Sequence, residues 1–378
     1  MQPCARKIFL DSREHWNILE KRNATVCTDM KKSAGKDKKP AVTIKDIARI
    51  AGVSHSTVSR SLNDSPLISE KTKQRIKQIA EELNFAFNSS AQGLSTRRTG
   101  TIGIIYPELF DTFGNSLYLG LLVQGLRHGL EQASLDSIGS FPINHYTGES
   151  NIRKLLSRKK IDGLLVIHPE IPVKDWEYIS SSGIPFVVLH FKPRSFDYSW
   201  MNYLFTDHVY GGYMATKLLV DSGCRNILCL REDSREKQFI ERTEGYKKAL
   251  SEYNIGFNPD MILGGDCSFE FGYNTIMNKK NELEKIDGIF AEADLVAIGA
   301  IEALKDLGIR IPEDMKVVGY DDTELGKYFR PKLTTIHQPR EEHARLACER
   351  LIQMLDPDDI SPTMQKILKP LIIYRETC

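Results

Sequence analysis

Long apolar runs are missing from this 378-residue chain. No stretch approaches the roughly 18 uninterrupted apolar residues of a membrane helix, so no bilayer-spanning helix is expected. The opening residues, M-Q-P-C-A-R-K-I-F, are charged and carry no apolar signal core, which argues against export. Cys4 also stands too early to be a lipidated cysteine behind a signal peptide. Paired cysteines are absent: the seven are odd in number and scattered, with no C-x-x-C, and Cys224 and Cys229 lack a partner set at zinc spacing. Reduced thiols in a cytosolic protein are the expectation. Catalytic signatures are missing as well. There is no G-x-G-x-x-G behind a strand, no P-loop, no G-x-S-x-G and no H-E-x-x-H. The nine histidines form no ligand-like group, so neither metal nor cofactor is expected. His190 and Asp321 can be drawn as an acid–base pair, but an enzyme has to be argued from site geometry, and no motif supports one.

Net charge is nearly absent too, at +1, yet that total hides an asymmetry. Met30 to Arg98 holds 14 Lys and Arg against 6 Asp and Glu, whereas Thr99 to Cys378 holds 32 against 40. A basic head on an acidic body concentrates the attraction for phosphates at one end. The length exceeds one compact core and implies two or three domains. Residues 1–29 lack periodicity, and residues 1–40 are expected to form a disordered extension. Met30, followed by K-K-S-A-G-K-D-K-K-P, is expected to be the true initiator.

Thr43 to Arg60, T-I-K-D-I-A-R-I-A-G-V-S-H-S-T-V-S-R, reads as two short helices around a tight turn. Thr43 with Asp46 has the form of a capping box, and Ile44, Ile47, Ala48 and Ala51 give one apolar face. Gly52 can adopt positive φ and end the first helix. Ser54 can cap a second helix with Val53 and Val58 inward and His55, Ser56, Ser59 and Arg60 outward. A small helix with hydroxyls and a terminal arginine suits a DNA major groove, where hydroxyls hold phosphates and arginine bonds two acceptors of guanine. A helical hairpin inside a larger core shares this pattern. Two features separate the readings: the second helix has too few apolar positions to be buried on several sides, and its surroundings are basic. Asn63 to Pro66 is turn chemistry. Ser69 is expected to cap a third helix whose Ile76, Ile79, Ala80 and Leu83 close the small core, leaving Lys71, Lys73, Arg75 and Lys77 on a solvated face.

From Thr101 short apolar runs alternate with helical stretches. T-I-G-I-I-Y-P, I-D-G-L-L-V-I, I-P-F-V-V-L, N-I-L-C-L, I-D-G-I-F-A and M-K-V-V-G-Y look like buried parallel strands. Helices are expected near 120–133, 211–222, 242–253 and 294–307. Such alternation builds doubly wound α/β layers.

A-G-V-S-x-x-T-V-S-R-x-L-N, Ala51 to Asn63, resembles the headpiece of the LacI-type family of bacterial transcription regulators. The resemblance continues through Leu83-Asn84-Phe85 and Asn88-x-x-Ala91-x-x-Leu94 and over nearly all of the remaining chain. It implies a helix-turn-helix headpiece at 41–87, a hinge helix at 88–99 and a two-lobed domain like a periplasmic sugar-binding protein at 100–378. Thr43, Ser54, His55, Ser56, Thr57, Ser59 and Arg60 would then meet DNA, with Ser54 to Leu62 as recognition helix. Asn88 and Ala91 would belong to a hinge helix whose Leu94 wedges into the minor groove; a plain linker is the alternative. The lobes are expected at 100–190 with 321–365 and at 191–320 with 366–378.

The resemblance also implies an effector cleft between the lobes, beyond the carboxyl ends of the strands. Arg242 matches an arginine that grips ligand oxygens, and Asp321 a carboxylate that accepts from hydroxyls. Asp294 and Gln338 match as well, although Asp294 also fits a helix cap. Three positions depart from the family: His190 replaces an acidic residue, Ala293 an asparagine, and Cys267 a frequent aromatic. Phe269, Phe271, Trp200 or Tyr198 could supply a stacking ring or simply pack. The implied protein is a homodimeric repressor that reads a near-palindromic double-stranded operator under control of a sugar or related metabolite. A ligand-binding sensor that makes no use of DNA is the alternative.

Overall fold

The computed structural model describes residues 42–62, 65–83, 85, 98–107, 113–168, 170–193, 197–233 and 236–378. The expected N-terminal extension lies outside these residues, as do Asn88, Ala91 and Leu94. Two compact units divide the chain, Met1–Asn88 and Ser89–Cys378.

In the first unit three helices follow the sequence signals: α1 (Ile44–Ala51), α2 (His55–Leu62) and α3 (Glu70–Glu82). Thr43 donates its amide at 3.0 Å and its hydroxyl at 2.7 Å to the Asp46 carboxylate, fixing the start of α1. Gly52 closes that helix at φ 67°, where a Cβ would strain the turn. Ile47, Ala48, Ala51, Val58, Ile76 and Ala80 form the core. Two details differ from expectation. Ser69 holds the cap position of α3, but its hydroxyl bonds that of Thr72 at 2.8 Å rather than a backbone amide. Lys73 is buried instead of solvated: its stem covers the core while its ammonium reaches back to Glu70 at 3.1 Å.

The second unit contains two six-stranded sheets. The first carries β1 (Thr101–Ile105), β2 (Asp136–Ser140), β3 (Gly163–Val166), β4 (Phe186–His190), β5 (Tyr203–Thr206) and β11 (Gln365–Leu368), in the order β2-β1-β3-β4-β5-β11 and all parallel. On one face Ile102, Ile104, Leu165 and Leu189 meet α4 (Phe113–Gln132) and α12 (Arg340–Leu355). On the other, Ile105, Leu164, Val166 and Val188 meet α5 (Asn151–Ser157) and α6 (Val173–Ser181), with Trp176 at the centre.

The second sheet carries β6 (Ile227–Glu232), β7 (Ile262–Gly265), β8 (Gly288–Ala291), β9 (Lys316–Tyr320), β10 (Thr334–His337) and β12 (Leu371–Ile373). Its order, β7-β6-β8-β9-β10-β12, repeats the first, except that β12 runs antiparallel. Helices α7 (His208–Asp221) and α8 (Lys237–Glu252) cover one face, and α9 (Phe269–Asn278) and α10 (Asp294–Asp306) the other. A short α11 (Glu324–Tyr328) links β9 to β10.

The lobe boundaries need correction. The chain passes between sheets after Thr206, after His337 and after Leu368. Sequence reading put these passages near 190, 320 and 365. Those bounds, taken from the resemblance, leave β5 and β10 in the wrong lobes: no expected strand covers Tyr203–Thr206, and a short helix separates β10 from β9.

Candidate functional site

The outward face of α2 is built by its own start signal. Ser54 Oγ accepts the Thr57 amide at 3.1 Å and lies 2.7 Å from the Ser56 hydroxyl and 2.8 Å from that of Thr57. The helix N-terminus therefore presents clustered hydroxyls. Val58 and Ser61 turn into the core, leaving His55, Ser56 and Arg60 exposed and Thr57 and Ser59 half-buried. Thr43 is exposed at the start of α1.

The second polar centre lies where β4 of one sheet ends opposite the ends of β6, β8 and β9 of the other. Arg242 is fixed before its side chain is considered. Gly212 of α7 and Gly245 of α8 bring the two helices into backbone contact: a Cβ on Gly212 would stand 2.0 Å from the Arg242 carbonyl oxygen, and one on Gly245 2.1 Å from that of Val209. The buried guanidinium then lies 3.8 Å from the centre of the Tyr320 ring. Its Nε donates to His208 Nδ1 at 3.4 Å, Nη1 to the Glu292 carbonyl, and Nη2 stands 3.5 Å from Asp321 Oδ1. Burial opposes its charge, but Asp321 opposite and Tyr320 beneath raise its pKa all the same.

Asp321 adopts φ 114°, an unfavourable conformation for a non-glycine residue. Three bonds hold it: Ile336 accepts its amide at 2.8 Å, Arg340 donates to its carbonyl at 2.9 Å, and Gln338 donates to its carboxylate at 2.7 Å. Burial raises this carboxyl to about 6, against the pull of Arg242 and Gln338. His190, ending β4, is likewise left-handed at φ 69°. Its ring lies 4.8 Å from Tyr118 and 4.3 Å from Phe191, and burial holds its pKa well below 6.5. Because His208 Nδ1 accepts from arginine, its proton sits on Nε2. That Nε2, the His190 Nδ1 and the Tyr118 hydroxyl are buried polar atoms with no hydrogen-bond partner among the described residues. With the two imidazoles 6.4 Å apart, they form a neutral polar centre suited to ligand hydroxyls or carbonyls.

The description "Bacterial regulatory proteins, lacI family" matches residues 43–88, and "Periplasmic binding protein-like domain" matches 216–378. The chain is 31% identical over 336 residues to the HTH-type transcriptional repressor PurR of Vibrio vulnificus, covering 89% of this chain and 98% of that protein. The chain belongs to the lacI family. The ribose operon repressor of Haemophilus influenzae is 32% identical over 342 residues, with 89% and 98% covered. Among solved structures, the Lac repressor dimer bound to operator and the anti-inducer ONPF superposes with TM-score 0.74 at 26% identity, over 89% of this chain and 99% of that one. A LacI family regulator of Enterococcus faecium with bound ribose has TM-score 0.62 at 26% identity, over 73% and 98%.

Of the positions that the lacI resemblance singled out, Arg242, Asp321 and Gln338 are brought into direct contact, and His190 faces them across the lobes. Asp294 is engaged elsewhere. Its carboxylate accepts from the amide and hydroxyl of Thr323, at 2.7 and 3.0 Å, and from the Thr335 hydroxyl at 2.5 Å, bracing the second lobe internally. Ala293, not Asp294, holds the cap position of α10. Cys267 packs beside the second lobe's core, where burial raises its thiol pKa, with Glu232 and Asp321 adding to the effect. The four candidate rings pack. Trp200 lies edge-on to Phe186, Tyr198 to Tyr203 and Phe205, and Phe269 stacks on Tyr273, while Phe271 lies against Gly265. Sequence reading missed His208, Tyr320, Tyr118 and Arg340. Only Tyr320 and Arg340 carried a signal, standing one residue before Asp321 and two after Gln338.

Proposed function

We propose that this lacI-family regulator acts in the cytoplasm as a homodimeric repressor, with two headpieces on a near-palindromic double-stranded operator and a small effector in the cleft. One observation carries the reading: a single chain joins an exposed hydroxyl, histidine and arginine face on α2 to a neutral polar centre between two matching lobes. His55, Ser56 and Arg60 read base edges, while Thr43, Ser54, Thr57 and Ser59 contact backbone phosphates. Asn88, Ala91 and Leu94 complete the DNA contact in the hinge. Arg242, Asp321, Gln338 and His190 bind the effector, a sugar or related metabolite, and Cys267 and Ala293 shape its pocket. The bound operator of the Lac repressor dimer and the ribose of the Enterococcus faecium regulator support these assignments by likeness.

Selection from random duplex DNA gives the operator and tests the DNA half. Arg60→Ala should weaken the selected site by about 1–3 kcal/mol and relax one base position, with little change on bulk DNA. An unchanged selected motif for Arg60→Ala and for His55 and Ser56 variants would overturn it. Thermal melting with free pentoses and hexoses tests the cleft, since a ligand at a hundred times its Kd stabilises by about 2.7 kcal/mol. A pentose or hexose shift that persists in Arg242→Ala would place the ligand elsewhere.

A further inference from the structure

Three polar contacts cross from one lobe to the other beside the cleft. Lys192, in the first lobe's β4–β5 connection, places Nζ 2.5 Å from Glu241 Oε1 on α8 of the second lobe. Lys237, one turn earlier on α8, donates to the Pro193 carbonyl at 3.1 Å. Its ammonium also stands 5.6 Å from the centre of the Tyr198 ring, which is anchored edge-on to Tyr203 and Phe205. Both ends of the ion pair have rigid roots. Phe191, just before Lys192, is buried in the first lobe's core, and His190 precedes it. Glu241 directly precedes Arg242, whose backbone is clamped against Gly212. The pair is only 17% and 18% exposed, so salt screens it less than an ordinary surface pair.

We propose that Lys192, Lys237 and Glu241 are positioning residues for effector binding: a polar latch across the cleft that sets the separation of His190 from Arg242. Each contact exists only while the lobes stay together, so the latch weights the closed arrangement by protein contacts alone. A closed cleft opposes His190 to Arg242 at working distance, and an effector then binds without the cost of bringing the lobes together. The word effector here rests on the cleft reading above; the interlobe separation does not.

The test uses the full chain with one dye on Lys159 of the first lobe and one on Lys280 of the second, read by single-molecule energy transfer. Lys192→Glu and Glu241→Lys should each raise the open population about fivefold. The double exchange, Lys192→Glu with Glu241→Lys, should restore the wild-type distribution, and Lys192→Arg should leave it unchanged. Lys192→Met and Glu241→Gln remove the charges without repulsion and serve if an exchanged variant misfolds. Wild-type distributions in folded single variants would overturn the latch, as would a double exchange that stays open. The readout contains no ligand, so a failed sugar screen leaves this result standing, and a failed latch leaves the cleft reading standing.

Discussion

The two lobes share a strand order and differ in the chemistry they bring to the cleft. The first contributes rings: His190, Tyr118 and Phe191, neutral and packed on one another. The second contributes charge: Arg242 against Asp321, whose carboxylate Gln338 braces while Arg340, at the start of the first lobe's α12, holds its carbonyl. A common scaffold can thus divide recognition between a packing wall and a hydrogen-bonding wall. The lobes should fail differently when altered.

The largest difference is expected from Arg242→Ala. It strands a buried Asp321 and removes the cation between Tyr320 and His208, so loss of about 3–5 kcal/mol is expected, as for a broken buried pair. Denaturant unfolding measures it. A loss below 1 kcal/mol would mean that the charged wall tolerates an unpaired carboxylate.

The pH response should also separate the lobes. Burial lowers His343 and His168 of the first lobe to about 4. A depressed histidine contributes stability that is present above its unfolded value near 6.5 and lost as pH falls toward 4. In the second lobe, burial raises Glu292 to about 8. A raised carboxyl contributes stability that is full below its unfolded value near 4.5 and lost as pH rises through 8. Hydrogen exchange, corrected for intrinsic rates, should show the first lobe losing protection from pH 7 to 5, whereas the second, which also holds a buried, depressed His208, should be the lobe that loses it from pH 6 to 9. His343→Gln and Glu292→Gln should flatten these slopes one lobe at a time, each by roughly 1–3 kcal/mol. Equal slopes in both lobes would remove the distinction.

The smallest effect belongs to the packing wall. His190 is left-handed at φ 69°, a conformation asparagine accepts readily. His190→Asn should therefore change stability by no more than about 1 kcal/mol, lost ring packing being offset by eased backbone strain. Melting temperature checks it. Any sugar-induced shift should nevertheless fall.

Legibility in the sequence followed apolar density. β1, β3, β4, β6, β8 and β9 announced themselves as buried runs, whereas edge strand β2, D-S-I-G-S, is mostly exposed and carries no such run. The headpiece could be read almost residue by residue, because its caps, turn and apolar faces are local. Arg242, Asp321 and Gln338 were reachable only through family resemblance. His208 was not reachable at all, since its role comes from meeting an arginine 34 residues away in α8. The left-handed conformations of His190 and Asp321 left no mark either, as neither residue is a glycine. Lys73 misled because lysine normally signals solvent.

The three passages between the sheets bear on how the chain is made. Synthesis runs from the amino end, but the first lobe's sheet lacks β11 and the cover of α12 until residues 340–368 emerge. Meanwhile the ribosome must deliver the second lobe from His208 to His337, on the order of ten seconds at about 5–20 residues per second. Throughout that interval the apolar surface of Ile102, Ile104, Leu122 and Leu126 waits for Ala347 and Leu351. The nascent protein therefore carries an incomplete α/β layer for the whole of that time. A stop codon just before Arg340 would leave both lobes open-edged, and the older half of the polypeptide would depend on its last-made helix to be finished.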